Sequence, residues 1–167
     1  MNIFTYRQAD LNDLPSLKSV AVEAWSPYAE KFDPEFRSEF LADLSNDTLY
    51  TGLLKKSSCI VCESNSETVG IAFLIPGGNP TAIYESGWSY IRFVSVVPAY
   101  QGKGIGRELT KRCIDLARSN GERIVALHTS ELMHKARHIY ESLGFVVLKE
   151  LPKRMGKRYW LYLLKLE

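Results

Sequence analysis

The sequence is poor in the features that would assign a function outright. It has three cysteines, Cys59, Cys62 and Cys113, too few for a disulfide framework. Cys59 and Cys62 have C-x-x-C spacing, but they lie in a β-branched apolar run with no second pair, so a zinc site lacks ligands. They read as structural cysteines of a cytoplasmic protein. No apolar run approaches the ~20 residues of a membrane span. The first ten residues hold no apolar signal core and already read as a strand. Charge of one sign is also missing: 21 Lys and Arg against 19 Asp and Glu give a net charge of +2. That balance argues against nucleic acid as a partner. The one locally basic stretch, Lys149 to Arg158, reads as a solvated loop. No G-x-x-x-x-G-K-[ST] run exists, which removes a nucleoside-triphosphate loop.

What is present is the composition of an ordinary globular domain, with 46% hydrophobic and 24% charged residues. Ile3 to Gln8 reads as a strand. Asp10 to Asp13 then cap a helix carrying Leu14, Leu17, Val20, Ala21 and Ala24, which fades at Trp25-Ser26-Pro27. Pro34 opens a second helix through Leu44. Ser58 to Glu63 and Thr68 to Ile75 read as a hairpin, and Tyr90 to Val97 as a strand ended by Pro98. An amphipathic helix carries Ile105, Leu109, Cys113, Leu116 and Ala117 on one stripe, stopped by Asn120-Gly121. Arg123 to Thr129 is a strand and Glu131 to Leu143 a helix. Phe145 to Lys149 and Tyr159 to Lys165 are the last strands. The order β-α-α-β-β-β-α-β-α-β-β predicts one α/β domain over residues 3–166. It has a mixed sheet of about seven strands and helices on both faces.

The chemistry is concentrated at Gln101-Gly102-Lys103-Gly104-Ile105-Gly106-Arg107, between a strand end and a helix start. Helix N-termini offer unpaired N–H groups and partial positive charge, so they attract phosphate. Glycines let backbone approach a ligand closely. A dinucleotide fingerprint needs G-x-G-x-x-G after the first strand. Counted from Gly102, the last glycine falls on Arg107, so that reading fails. The spacing Q-x-x-G-x-G is met by Gln101, Gly104 and Gly106.

That segment, with Val96-Val97-Pro98 before it, resembles the central signature of the GNAT superfamily of N-acetyltransferases. Ala136, Tyr140, Glu141, Gly144 and Phe145 are similar to the family's A-x-x-x-Y-E-x-x-G-F. The opening Tyr6 to Leu14 resembles its start. The resemblance implies acetyl-CoA as co-substrate and no metal. It places acetyl-CoA between two splayed strands, Tyr90 to Val97 and Arg123 to Thr129. Backbone of Val94, Ser95 and Val96 would pair with pantetheine, and an N–H near Val96 would polarise the thioester carbonyl. Backbone N–H groups from Gly102 through Lys103, Gly104, Ile105 and Gly106 to Arg107 would hold the pyrophosphate, with Gln101 closing the loop.

The resemblance gives Tyr140 the role of general acid, although Tyr140 also lies on an apolar stripe that fits a core residue. His128 stands where some relatives hold a base-like carboxylate, and its ordinary pKa suits proton removal. Packing is its competing role, and Glu85 is a second candidate base. Met133 stands where many relatives carry an asparagine that contacts pantetheine, so that contact passes to Thr129 or to backbone. His134 and His138 are i, i+4 but lack a third ligand.

The expected acceptor is a small-molecule amine or an amino-acid-like amine, with no membrane partner. Trp25, Tyr28, Phe32, Tyr84 and Trp88 either line its pocket or pack the core. The resemblance leaves a monomer and a homodimer through a sheet edge both open. It also leaves a second function open: a non-catalytic domain that binds acyl-CoA as a sensor or interaction module.

Overall fold

The computed structural model describes residues 3–167. The apolar runs at 58–75 become β2 (Ser58–Ser64) and β3 (Glu67–Ile75), antiparallel around Asn65 and Ser66. Both turn residues have positive φ, 52° and 66°, the geometry of a two-residue hairpin turn. Most of β2 and β3 is buried, which is why they read as continuous rather than alternating runs. β1 (Thr5–Gln8) pairs on the outside of β2. β4 (Ser89–Val96) pairs antiparallel with β3, and β5 (Ile124–Ser130) runs parallel beside β4. β6 (Val146–Arg154) and β7 (Lys157–Lys165) complete one seven-stranded sheet in the order β1-β2-β3-β4-β5-β7-β6. The mixed α/β sheet expected from the sequence is present.

Helices cover both faces. α1 (Leu14–Ala29), α2 (Pro34–Leu44) and α3 (Asp47–Lys56) precede β2, α4 (Ile105–Ser119) follows the glycine loop, and α5 (His134–Ser142) follows β5. On one face Trp25 of α1 bonds to the Ser95 side chain. On the other, a Cβ added at Gly70 would lie 2.9 Å from Ile105 and 3.1 Å from Leu109 of α4. Gly70 is paired with Val96, so α4 rests on β3 and β4 where the backbone leaves room.

Four expectations are corrected. α1 does not fade at Pro27 but runs to Ala29. The proline lacks an N–H, and the neighbouring Ser26 hydroxyl donates to the Val22 carbonyl at 2.5 Å. α3 was not expected. It buries only Tyr50 and Leu53, and Asn46 caps it by accepting from the Thr48 N–H. α5 starts at His134 rather than Glu131, because Ser130 holds a turn: its hydroxyl accepts from the Leu132 N–H and its carbonyl from the Met133 N–H. Lys149 to Arg158 is not a solvated loop but lies in the β6–β7 hairpin, where Glu150 pairs with Arg158.

Cys59, Cys62 and Cys113 are buried free thiols, and burial pushes Cys113 up to about 12. Among the described residues no helix is long and apolar enough to cross a membrane, and no three metal-ligating side chains gather.

The seat of α4 is testable. Gly70→Val places a branched side chain against Ile105, Leu109 and the Ser95 carbonyl. Overpacking of this kind costs about 1–3 kcal/mol, which urea denaturation should record as a lower midpoint. An unchanged midpoint would contradict the close packing of α4 on β3.

Candidate active site

β4 and β5 pair at only two positions, Ser89 with Val125 and Tyr90 with Ala126. Beyond these they separate. The cause lies in β4, which carries one extra residue: Phe73 of β3 pairs with Arg92 but Ile71 pairs with Ser95. This is a β-bulge. Phe93 within it has φ 55°, a left-handed conformation rare for a bulky residue. The bulge is fastened from the α1 side. The Ser95 hydroxyl donates to the Phe93 carbonyl at 2.9 Å and accepts from Trp25 Nε1 at 2.9 Å.

Past the bulge, strand alternation decides which groups face the gap. The Val97 N–H donates to Val69 on β3 at 3.0 Å, so Val96 points its backbone the other way. Its carbonyl accepts from Gln101 Nε2 at 3.1 Å, which is the loop closure expected of Gln101. The Val96 N–H opens toward the gap.

The glycine loop then turns into α4. Gly102 and Gly104 have φ 79° and 83°, and nothing lies within 4 Å of a Cβ built on either. None of the six N–H groups from Gly102 to Arg107 has a backbone partner among the described residues, while the next, Glu108, donates to Gly104. A run of free donors at a helix start is an anion cradle. The Lys103 side chain is exposed and off the cleft wall. Arg107 donates to the Ser142 hydroxyl at 2.6 Å and ties α5 to the start of α4.

Two cavities flank this gap. The first takes in Val94, Ser95, Val96, Gln101, Gly102, Gly104, Ile105, Gly106, Arg107 and Tyr140. The second is walled by Trp25, Phe32, Phe40, Arg92, His128 and Arg154. They share Trp25, Val94, Met133 and Tyr140, so the junction lies beside the β4 backbone. The expected residues are therefore divided: the cofactor set apart from Lys103 meets in the first cavity, His128 lies in the second, and Tyr140 borders both.

Tyr140 packs edge-on against Phe145 at 6.0 Å and is 8% exposed. It is thus both a core residue and a cavity wall. Its hydroxyl has no hydrogen-bond partner among the described residues, and burial, then nearby Cys113, raises its pKa above the ordinary tyrosine value. It stays protonated and free to donate.

His128 has both ring nitrogens engaged. Arg154 Nη1 lies 3.2 Å from Nε2 and the Tyr84 hydroxyl 2.5 Å from Nδ1. A guanidinium only donates, so Nε2 is the acceptor and Nδ1 carries the hydrogen. Burial, then the charges of Arg154 and Arg92, push His128 down to about 3. It is a neutral ring over the physiological range.

The aromatic candidates also divide. Trp25 and Phe32 line the second cavity and Tyr28 the first, whereas Tyr84 and Trp88 are core. Glu85 is exposed and lines neither cavity. Sequence reasoning missed Arg92, Phe40 and Arg154. Only Arg92 had a signal, as a lone charge inside the apolar strand Ser89–Val96.

The chain has relatives among known proteins. The chain is 39% identical over 70 residues to the L-amino acid N-acyltransferase MnaT of Escherichia coli, covering 41% of this chain and 40% of that protein. It is 30% identical over 136 residues to human N-acetyltransferase 8B, covering 81% of this chain and 56% of that one. The matched stretch thus spans about half the length, or less, of these curated relatives. In structure it superposes on the PaiA N-acetyltransferase of Thermoplasma acidophilum, solved in complex with coenzyme A, with a TM-score of 0.79. The identity is 16%, and 98% and 99% of the two chains are covered. Residues 17–145 match the model of the Acetyltransferase (GNAT) family, and the chain belongs to that family.

Proposed function

We propose that the protein transfers an acetyl group from acetyl-CoA to the amine of a small acceptor, by direct attack with both substrates bound. The observation that carries this reading is the junction. The free N–H groups of the loop, the unpaired edge of β4 and the Tyr140 hydroxyl bound one cleft, and a second cavity opens onto it at Val94 and Tyr140.

Acetyl-CoA supplies a thioester, an activated acyl group that an amine can attack. The N–H groups of Gly102 to Arg107 receive its pyrophosphate. The β4 edge at Val94 to Val96 aligns the pantetheine, and an N–H there faces the charge that develops on the carbonyl oxygen. The amine nitrogen bonds to the carbonyl carbon, the carbon–sulfur bond breaks, and the sulfur takes the Tyr140 proton. The proton released by the nitrogen restores Tyr140 through solvent.

The base role expected of His128 is not carried forward. A group held at about 3 has little tendency to take a proton from an ammonium. His128 instead positions Arg154 and Tyr84. The same burial and cationic surroundings act on an acceptor ammonium in this cavity and favour its neutral form. The second cavity, about 130 Å³, is comparable to the roughly 150 Å³ that holds a benzene. It suits a compact acceptor, in keeping with the amino-acid substrate in the name of the E. coli relative.

Incubation with acetyl-CoA and an amine panel, read by thiol release, tests the proposal. Release no faster than hydrolysis sinks it and favours a sensor. Gly104→Val puts a branched side chain at φ 83° into the open space of the cradle. Isothermal titration should show acetyl-CoA affinity reduced about 10-fold or more, a loss on the scale of a charged hydrogen bond, and unchanged affinity would remove the cradle. Tyr140→Phe should lower kcat by about 100-fold, the lower range for a general acid, with little change in the KM for acetyl-CoA; an equal loss in both would make it a packing residue. His128 also has a stability signature. An unfolded histidine titrates near 6.5, so between about 6.5 and 3 the unfolded state binds a proton that the folded state refuses. Stability falls as pH falls through that window. His128→Gln should flatten that acid-side decline in urea unfolding, and an unaltered slope would count against the neutral ring.

A further inference from the structure

The second cavity contains a cation without an anion. Arg92 leaves β4 at the bulge and lines this cavity. Its guanidinium lies 4.4 Å from the centroid of the Phe93 ring and is buried enough that its pKa is lowered. It has five N–H donors and no acceptor. Among the described residues it has no ion-pair or hydrogen-bond partner, and no Asp or Glu lines either cavity.

Elsewhere the chain does provide carboxylates for arginines. Arg7 holds Asp13 and Glu63, Arg112 holds Glu108, and Arg158 holds Glu150. Those pairs lie at the surface, where they are worth least. The half-buried guanidinium of Arg92, costly to leave unpaired away from water, has none. Arg154 adds a second cation beside it. One of its nitrogens faces His128, and its other donors have no partner among the described residues. The opposite wall is apolar: Phe40 meets Trp25 at 6.1 Å and Phe32 at 5.1 Å, edge to face.

We propose that Arg92 is the specificity-determining residue of the acceptor site and pairs with a carboxylate that the acceptor carries beside its amine. The acceptor class is then a free amino acid with an apolar side chain. This rests on reading the second cavity as the acceptor site. Arg92 and Val94 are two residues apart on β4, so an anion at Arg92 and a nitrogen attacking beside Val94 lie within the span of one small molecule. A planar guanidinium matches a carboxylate through two parallel bonds. The aromatic wall takes the side chain. A polyamine would bring only cations to Arg92 and Arg154, and a long peptide would set its carboxylate far from its amine.

Three acceptors separate the requirement: L-methionine, its amide, and 3-(methylthio)propylamine, which has no carboxylate. Wild type should favour L-methionine over the other two in kcat/KM by about 10- to 100-fold, the worth of a charge-assisted hydrogen bond. In Arg92→Met that preference should collapse toward unity through the KM for the amino acid, and Arg92→Lys should restore part of it. A binding arm needs no turnover. 4-(Methylthio)butanoate, which keeps the carboxylate and lacks the amine, should raise the Tm of wild type but not of Arg92→Met. Equal use of the three acceptors, or a preference that survives in Arg92→Met, overturns the proposal. So does a butanoate-induced shift that is absent from wild type or present in both. If no amine is acetylated while the butanoate still stabilises wild type alone, the carboxylate site stands and the transfer reading fails.

Discussion

The parting of β4 from β5 is the constraint on which the rest of the site depends. Two adjacent parallel strands ordinarily satisfy each other's backbone groups, and leaving them unpaired inside a protein is costly. Here pairing stops after Tyr90 and Ala126, because the extra residue at Phe93 swings the end of β4 away. The bulge persists because its surroundings determine it from several sides. Ser95 bonds across it, Trp25 bonds to Ser95, and the Phe93 ring packs edge-on against Phe73. The unpaired groups that result are the site's working parts. A regular β4 would have zipped to β5 and left neither a donor at Val96 nor a gap between two cavities.

The two sides of that gap use different physics. The cofactor side is made of backbone: a helix start, two glycines in the left-handed region and the strand edge. Its one closing side chain, Gln101, serves the Val96 carbonyl. The acceptor side is made of side chains, with cations and aromatic rings and no acid. This asymmetry bears on proton transfer. A site that lowers His128 to about 3 is a poor place for any neutral base, but it also disfavours a bound ammonium. In the proposed reaction the acceptor would shed its proton on entry, leaving as the proton-handling group a phenol that burial keeps protonated. One electrostatic environment accounts for both observations.

The cofactor side was legible in the sequence because backbone chemistry leaves a narrow signature. Free N–H groups need a strand-to-helix turn, the turn needs glycine at φ 79° and 83°, and the helix after it shows an apolar stripe. Elements with few buried residues were not legible. α3 buries two side chains and was missed altogether, and β6, exposed at all but Leu151, was read only as Phe145 to Lys149. Pro27 suggested a helix end because proline lacks an N–H, yet the loss of that one donor leaves α1 to run on to Ala29. Tyr140 was ambiguous for a physical reason: it occupies a core stripe and a cavity wall together.

The acceptor side was illegible because it has no local unit. Trp25 comes from α1, Phe40 from α2, Arg92 from β4, His128 from β5, and Arg154 from the end of β6. The hairpin tip closes the set. At Gly156 the backbone has φ 75° and approaches Asp33 at the start of α2 so closely that a Cβ would collide with that carboxylate. This contact brings Arg154 and Met155 over the cavity opposite Phe32 and Phe40. The walls that decide acceptor size therefore lie on a hairpin tip and a helix corner, and neither takes part in the strand parting. Changes there alter what fits the cavity while the β4 edge, the loop and Tyr140 keep their places. Trp25, which bonds to Ser95, and Arg92 are the exceptions. Arg92 leaves the strand at the bulge itself, so the residue proposed to read the acceptor is held by the same distortion that exposes the β4 backbone to the cleft.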